Sequence, residues 1–434
     1  RLLRFVLPCI GTMLFTSIYG IVDGLCVSNF VGKTAFAAVN LIMPLPMLLG
    51  TIGFMLGTGG SAIVGITLGE GDQKKADRYF TLFLLAALVS VSVLAVLGIV
   101  FLRPIAVLLG AKGELLDYAV RYGRILMVSL PTFALQNMFQ SFFVTAEKPH
   151  LGFWFTVGAG CTNMVLDVLM VGVWGWGVEG AAIATFISQL VGGVLPVFYF
   201  IDRSNTSRLH LCQTKVYGGV LRDACINGSS ELMTNLSMSL VNILYNYQLL
   251  RLAGENGVAA YGVIMYAAFL FVAVFVGYAV GSAPIVSFHY GARNHAEVHN
   301  LYRKSLRLIA VVAVTLTLAS MFIIPCVARV FVGYDAELLA LTSRAFRLYA
   351  LSFLIMGFNV YASSFFTALG DGVTSALISF LRTLAFQVIA ILLLPMLLGI
   401  DGIWLAVTAA ELAALAVSAA MLLTKDKVFH YRKA

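Results

Sequence analysis

The chain has 434 residues, of which 60% are hydrophobic and only 11% charged, and its mean hydropathy is +0.95. Soluble domains carry about 25% charged residues, so a water-soluble globular protein is excluded and an integral membrane protein is implied. The formal net charge of +8 would suit a nucleic-acid partner, but the cations are spread over short loops on one side of the chain's crossings, and none is expected.

Twelve apolar runs long enough to cross a hydrocarbon core of about 30 Å follow one another at 5-31, 36-68, 79-102, 114-146, 151-172, 178-201, 219-250, 257-290, 302-326, 336-369, 373-398 and 402-424. The ten-residue alternation of an outer-membrane barrel is missing, and only helices otherwise satisfy backbone polar groups in lipid. The expected fold is therefore an all-α polytopic membrane protein. The first run opens with RLLRF but is long and lacks a small-residue cleavage site, so it reads as a retained helix with a trimmed N-terminus rather than a signal peptide. An even number of spans puts both ends on one face. That face collects Arg1, Arg4, Lys74, Lys75, Arg78, Lys148, Arg203, Arg208, Arg293, Lys425, Arg432 and Lys433, whereas the other holds chiefly Lys33, Arg103, Lys112, Arg251 and Arg329. The positive-inside rule then makes the termini cytoplasmic and the protein a resident of the cell membrane.

Shifting the sequence by about 222 residues lays the second half on the first. LGEGDQKKADRYF (68-80) falls near HYGARNHAEVHNLY (289-302), and GWGVEGAAIAT (175-185) falls on LGIDGIWLAVT (398-408). Arg121 and Arg124 reappear as Arg344 and Arg347. Two six-helix lobes, 1-201 and 219-434, joined by a polar linker at 202-218, imply a pseudo-two-fold axis along the membrane normal around a central cavity. Such lobes suit alternating access, and the self-contained pair makes a monomer sufficient.

The informative intramembrane acids are Asp23, Asp167, Glu231 and Glu411. With a rise of 1.5 Å per residue, Asp23 lies about 27 Å along its span from Phe5, and Asp167 about 24 Å along a span starting near Leu151. Asn163 precedes Asp167 by four residues and shares its face, and Thr185 comes to a similar depth. Two carboxylates, an amide and a hydroxyl at one level can coordinate a hard cation or share a proton. Tyr122, Gln136, Asn137 and Gln140 are expected to line the cavity, as are Asn242 and Asn246 in the second half. An intramembrane Asp also serves simply to tie helices together. Glu231 is expected near the cytoplasmic end of its span, and Glu411 has no evident partner in the sequence.

The span pattern, the P-x14-D spacing from Pro8 to Asp23, the NMVLD stretch ending at Asp167 and the LGEGDQKKA loop together resemble the multidrug and toxic compound extrusion transporters, over essentially the entire chain. The resemblance implies export of amphipathic, often cationic, small molecules in antiport with H+ or Na+. It carries the family's ion site onto Asp23, Asn163, Asp167 and Thr185, and matches Pro8 to the proline at which the first helix bends. Members of another branch use acids in the seventh and tenth helices; here Asn359 stands in the tenth.

A lipid-linked precursor flippase of the same superfamily is the alternative, kept open by Arg121, Arg124, Arg344 and Arg347. Catalysis is not expected, since the six histidines show no HExxH spacing and no nucleophile stands beside a base. Six scattered cysteines without CxxC spacing argue against disulfides and zinc, and no cofactor is expected beyond the coupling ion.

Overall fold

The computed structural model describes residues 2–431; Arg1, Arg432 and Lys433 lie outside the described residues, and so does the side chain of Lys33. The first half comprises α1 (Leu2–Phe30), α2 (Lys33–Ile42), α3 (Pro44–Gly69), α4 (Gln73–Leu108), α5 (Glu114–Thr145), α6 (Pro149–Asp167) with a π-helical continuation (Val168–Val173), α7 (Gly177–Gly193) and α8 (Leu195–Ile201). The second comprises α9 (Gly218–Gly291), α10 (His295–Val332), α11 (Ala336–Ala350), α12 (Phe353–Ala368), α13 (Gly372–Phe380) with a π-helical segment (Leu381–Ala385), α14 (Phe386–Leu398), α15 (Ile400–Thr424) and the short α16 (Asp426–Phe429). Among the described residues there is no strand.

Prolines near the starts of α3 and α8 explain why two spans are each split into a pair of helices, since Pro44 and Pro196 withdraw a backbone donor where the pairs join. Gly254, at φ +63°, breaks α9 into two arms. Among the described residues nine helices are long and apolar enough to cross a membrane singly, and α11 with α12, bent by 45°, makes a tenth. The other two spans are α5, which carries Glu114, Asp117, Arg121 and Arg124 in its first three turns, and the first arm of α9, which carries Arg222, Asp223 and Glu231. The twelve expected spans are thus present. Several helices outrun them, α10 most of all, because intrahelical hydrogen bonds persist where the apolar sequence stops.

The repeat is visible in the turns. Left-handed backbone recurs at Gly32 and Gly254, Gly71 and Arg293, Glu147 and Gly370, and Gly177 and Gly399, an offset of 222 or 223 residues each time. Caps recur as well: the Asp72 side chain accepts from Lys75 N at the start of α4, and Asn294 from Glu297 N at the start of α10. At the far rim, Arg121 of α5 meets Glu179 of α7 at 3.8 Å, and its counterpart Arg344 of α11 donates through Nε to Asp401 of α15 at 3.0 Å.

Residues 202–217, between α8 and α9, carry no helix and are stitched to the first half. Their His210 N–H donates to Asp77 Oδ1 at 3.0 Å, their Cys212 N–H donates to Thr81 Oγ1 at 3.1 Å, and Lys148 Nζ donates to Thr206 at 2.8 Å. The two halves meet at this linker end through small residues. A Cβ at Gly59 would strike the Ala224 and Gly228 backbone, one at Gly228 the Met55 carbonyl, and one at Gly277 or Gly281 the α1 backbone between Phe5 and Ile10. Asn227 Nδ2 donates to Gly59 O at 3.3 Å across the seam and to Thr367 O at 2.9 Å within its own half. Among the described residues, the hydrophobic clusters that mix the halves lie at this end, whereas the clusters around Val39 and Ile42, and around Tyr245 and Tyr349, each belong to one half. The halves therefore close at the linker end and part at the other.

Inside the second half, the sequence expectation for Glu411 is corrected. Its Oε1 pairs with Arg382 Nη1 at 3.3 Å, and its Oε2 accepts from Asn359 Nδ2 at 2.7 Å, while Ser418 Oγ donates to Asn359 Oδ1 at 2.9 Å. The side chains of Glu411 and Arg382 are only 1% and 13% exposed, so the pair is desolvated. Glu231 lies about 20 Å into α9, half-buried and close enough to Arg382 to feel its charge. Arg382, alone in the apolar run SALISFLRTLAFQ, carries the same signal that singled out Asp23.

Two outcomes follow from this packing. Gly228→Val should wedge the seam and widen spin-label distances across the linker end by several ångströms, with distances at the far rim moving the opposite way; unchanged distances would contradict the closed seam. Arg382→Met should destabilise the protein by about 3 kcal/mol by leaving Glu411 buried and unpaired. Adding Glu411→Gln should recover most of that loss in thermal unfolding, which a purely steric role of Arg382 would not allow.

Candidate functional site

α1 runs unbroken through Pro8, which is buried, and the Thr12 hydroxyl donates to the Pro8 carbonyl at 2.9 Å. Four turns beyond Pro8, the same helix brings Asp23 against α6. There the Asp23 and Asp167 carboxyls interact directly. Asp167 is fully buried and ends the α-helical part of α6, and the backbone continues from it into the π-helical turn Val168–Val173. Such π-turns rotate the following residues around the helix axis and are frequent at functional sites.

The pair lacks what a buried carboxylate ordinarily has. Asp23 Oδ1 and both carboxylate oxygens of Asp167 are buried with no hydrogen-bond partner. Two acceptor-only groups in contact need a proton or a cation between them, because isolated charge in a low-dielectric interior is costly. Tyr122, fully buried on α5, has an unpartnered hydroxyl and feels the charge of both aspartates. Cys26, one turn after Asp23, feels the same two charges.

Asn163 is one turn before Asp167 and 2% exposed, and its Nδ2 donates to Thr185 Oγ1 of α7 at 3.4 Å. One turn beyond Thr185, the buried Gln189 Oε1 has no partner. The four residues expected to hold an ion therefore come from three neighbouring helices, with the two carboxylates in contact and the amide and hydroxyl paired with each other. They offer oxygen ligands only, which suits a proton or a hard monovalent cation rather than a transition metal.

The residues expected to line a cavity divide differently. Tyr122 is sealed against the acid pair rather than open to a cavity. Gln136 and Asn137 are buried on α5, Gln136 in hydrogen-bond contact with Tyr19, and Gln140 is half-buried one turn further. Asn242 and Asn246 are exposed on the first arm of α9, in the other half, where Asn242 Oδ1 accepts from Tyr261 at 2.6 Å. Sequence reasoning passed over Tyr19, although it stands four residues before Asp23 on the same helical face. Arg121 and Arg344 are engaged with acids at the far rim and are exposed, as are Arg124 and Arg347.

Comparison with known proteins agrees with this architecture. A profile of the MatE family matches residues 8–169 and, a second time, residues 232–393. Among curated relatives, the multidrug export protein MepA of Staphylococcus saprophyticus is 21% identical over 433 residues, covering 98% of this chain and 94% of that protein. MepA of Staphylococcus aureus is likewise 21% identical over 429 residues. Among solved structures, one described as the outward-facing conformation of a multidrug resistance MATE family transporter superposes with a TM-score of 0.93 at 23% identity, over 100% of this chain and 96% of that one. A MATE structure in complex with MaL6 gives 0.93 at 22% identity, over 100% and 97%. With the profile matched once in each half, around the same turns and helices that repeat in the fold, the chain belongs to the MatE family.

Proposed function

We propose that this protein is a secondary multidrug transporter of the cell membrane that exports amphipathic, cationic small molecules by alternating access, in antiport with H+ or Na+. The observation that carries the reading is the Asp23–Asp167 contact, a buried pair of carboxyls with three oxygens lacking any donor. A group left in that condition is completed by an ion arriving from outside. The export function printed for the staphylococcal MepA relatives supports the same reading.

The lobes are taken as 1–201 and 219–434 with the linker 202–218 and both termini in the cytoplasm, which makes the present conformation outward-open. In that state an ion reaches Asp23 and Asp167, neutralises them, and changes how α1 packs on α6. Substrate affinity falls because the ion and the substrate favour different packings of α1, and the coupling is that difference in affinity. The ion-loaded, substrate-free lobes then rock to open at the linker end, where the lower ion activity discharges the pair. Asn163 and Thr185 supply neutral oxygens when the ion is sodium, and Tyr122 supplies a hydrogen bond to whichever carboxylate remains charged. No further cofactor, catalytic step or second subunit is needed. Of the four arginines behind the flippase alternative, Arg121 and Arg344 are engaged with rim acids, while Arg124 and Arg347 are exposed.

Ethidium efflux from proteoliposomes under an imposed proton or sodium gradient tests the reading. Wild type should export under one of the two gradients, and Asp23→Asn or Asp167→Asn should lower the gradient-driven rate at least tenfold while the protein stays folded. Export by Asp23→Asn at the wild-type rate would remove the acid pair from the mechanism.

A further inference from the structure

Beneath the acid pair, towards the linker end, the first half contains a small, partly open cavity lined by α1, α5, α6 and α7. Its walls include Thr12, Gln136, Gln140 and Thr156 at depth, and Pro149 and Gly152 where α6 begins at the linker-side face. About 20 Å³ of it is accessible to the centre of a water molecule, against about 10–15 Å³ needed to hold one. Gln136 belongs to both regions, since its amide lines this cavity and also contacts the Tyr19 hydroxyl, one turn below Asp23. The fold reserves room for that amide. A Cβ on Gly192 of α7 would come within 2.8 Å of Gln136 Cδ and 2.9 Å of Nε2.

The other polar groups suit passage better than storage. Thr12 and Thr156 donate to the carbonyls one turn back on their own helices, at 2.9 and 3.1 Å, so what they can present to the cavity is hydroxyl lone pairs. Gln140 adds an amide. No carboxylate is among the cavity's lining residues, so nothing there would trap a cation. The cavity lies wholly within the first half except for Val280 of the second arm of α9, and it is present while the seam between the halves is closed.

We infer that the coupling ion leaves the Asp23–Asp167 pair towards the linker side through the body of the first half, by way of Tyr19, Gln136 and this hydrated cavity, and not through the central cleft that the substrate uses. The inference rests on the proposed antiport. Ion and substrate, which favour different packings of α1, would then leave by separate routes once the lobes have rocked. Gln136 is then a positioning residue for ion transfer, and Gly192 fixes the place of its amide.

The test uses full-length protein in proteoliposomes, with ethidium as substrate and whichever gradient drives the wild type, and it compares Gln136→Leu, Gly192→Ala and Asp23→Asn. Two readouts are taken: displacement of bound ethidium by the ion at equilibrium, and the gradient-driven efflux rate. Gln136→Leu should keep ion displacement within twofold of wild type while slowing efflux at least tenfold, and Gly192→Ala should slow efflux threefold or more with displacement unchanged. Efflux by Gln136→Leu at the wild-type rate would overturn the route. Loss of ion displacement in Gln136→Leu would also overturn it, by placing the residue in the ion site itself. If Gln136→Leu does not fold, the outcome for Gly192→Ala decides in the same terms. If Asp23→Asn retains ion displacement, the proposed antiport site falls whatever the two path variants do.

Discussion

A carboxylate inside a membrane protein must find a proton, a cation or a hydrogen-bond donor, and the two halves of this chain meet that requirement in opposite ways. In the second half Glu411 is satisfied internally, with Arg382 and Asn359 both directed at it and Ser418 holding the amide. In the first half Asp23 and Asp167 are turned towards each other with no such partner, and the neighbouring Tyr122 hydroxyl is itself unengaged. One backbone plan, repeated turn for turn, therefore holds one closed ionic network and one that only an external ion completes. That asymmetry gives the first half its candidate function. It also identifies the second half's buried charges as a fixed element, because a tethered guanidinium already occupies the position beside Glu411.

The seam at the linker end is the second requirement for such a machine. Between helices in lipid there is no hydrophobic driving force, so close approach rests on small residues and on hydrogen bonds that bridge backbones. Gly59, Gly228, Gly277 and Gly281 allow backbone contact between the halves, and Asn227 bridges α3 and α12. An interface built this way fixes the register of the two backbones, with apolar side chains of both halves packed around it. The linker is hydrogen-bonded to the first half through its backbone at His210 and Cys212. The Arg208 side chain, paired with Glu147, lies over the Phe288 ring of the second half.

The repeat was legible in the sequence because matched stretches such as 68–80 and 289–302 lie about 222 residues apart, whereas the left-handed turns, which fall on Arg293 and Glu147 as well as on glycines, were not. The depth agreement of Asp23 and Asp167 was legible because the rise of a helix is fixed at about 1.5 Å per residue. Azimuth was not legible to the same degree. Tyr122 reads as cavity-lining from its polarity, yet its hydroxyl is sealed beside the acids. Glu231 lies near a span end in the sequence, and the fold brings it within reach of the Arg382 charge. Such neighbours are hard to read because a few degrees of rotation per turn, or one π-turn such as Leu381–Ala385, changes which neighbour a side chain meets.

The sequence by itself determined the class of the protein, its twelve crossings, its internal repeat and the level of its acids. It could do so because lipid forces every backbone polar group into local helical hydrogen bonds, and local hydrogen bonding is written in local sequence. Only the tertiary structure decided which carboxylates touch, which arginine satisfies Glu411, and at which end the halves close. Those outcomes depend on the distances and rotations between helices remote in the chain, set by side chains packing from several elements at once. No single segment encodes them.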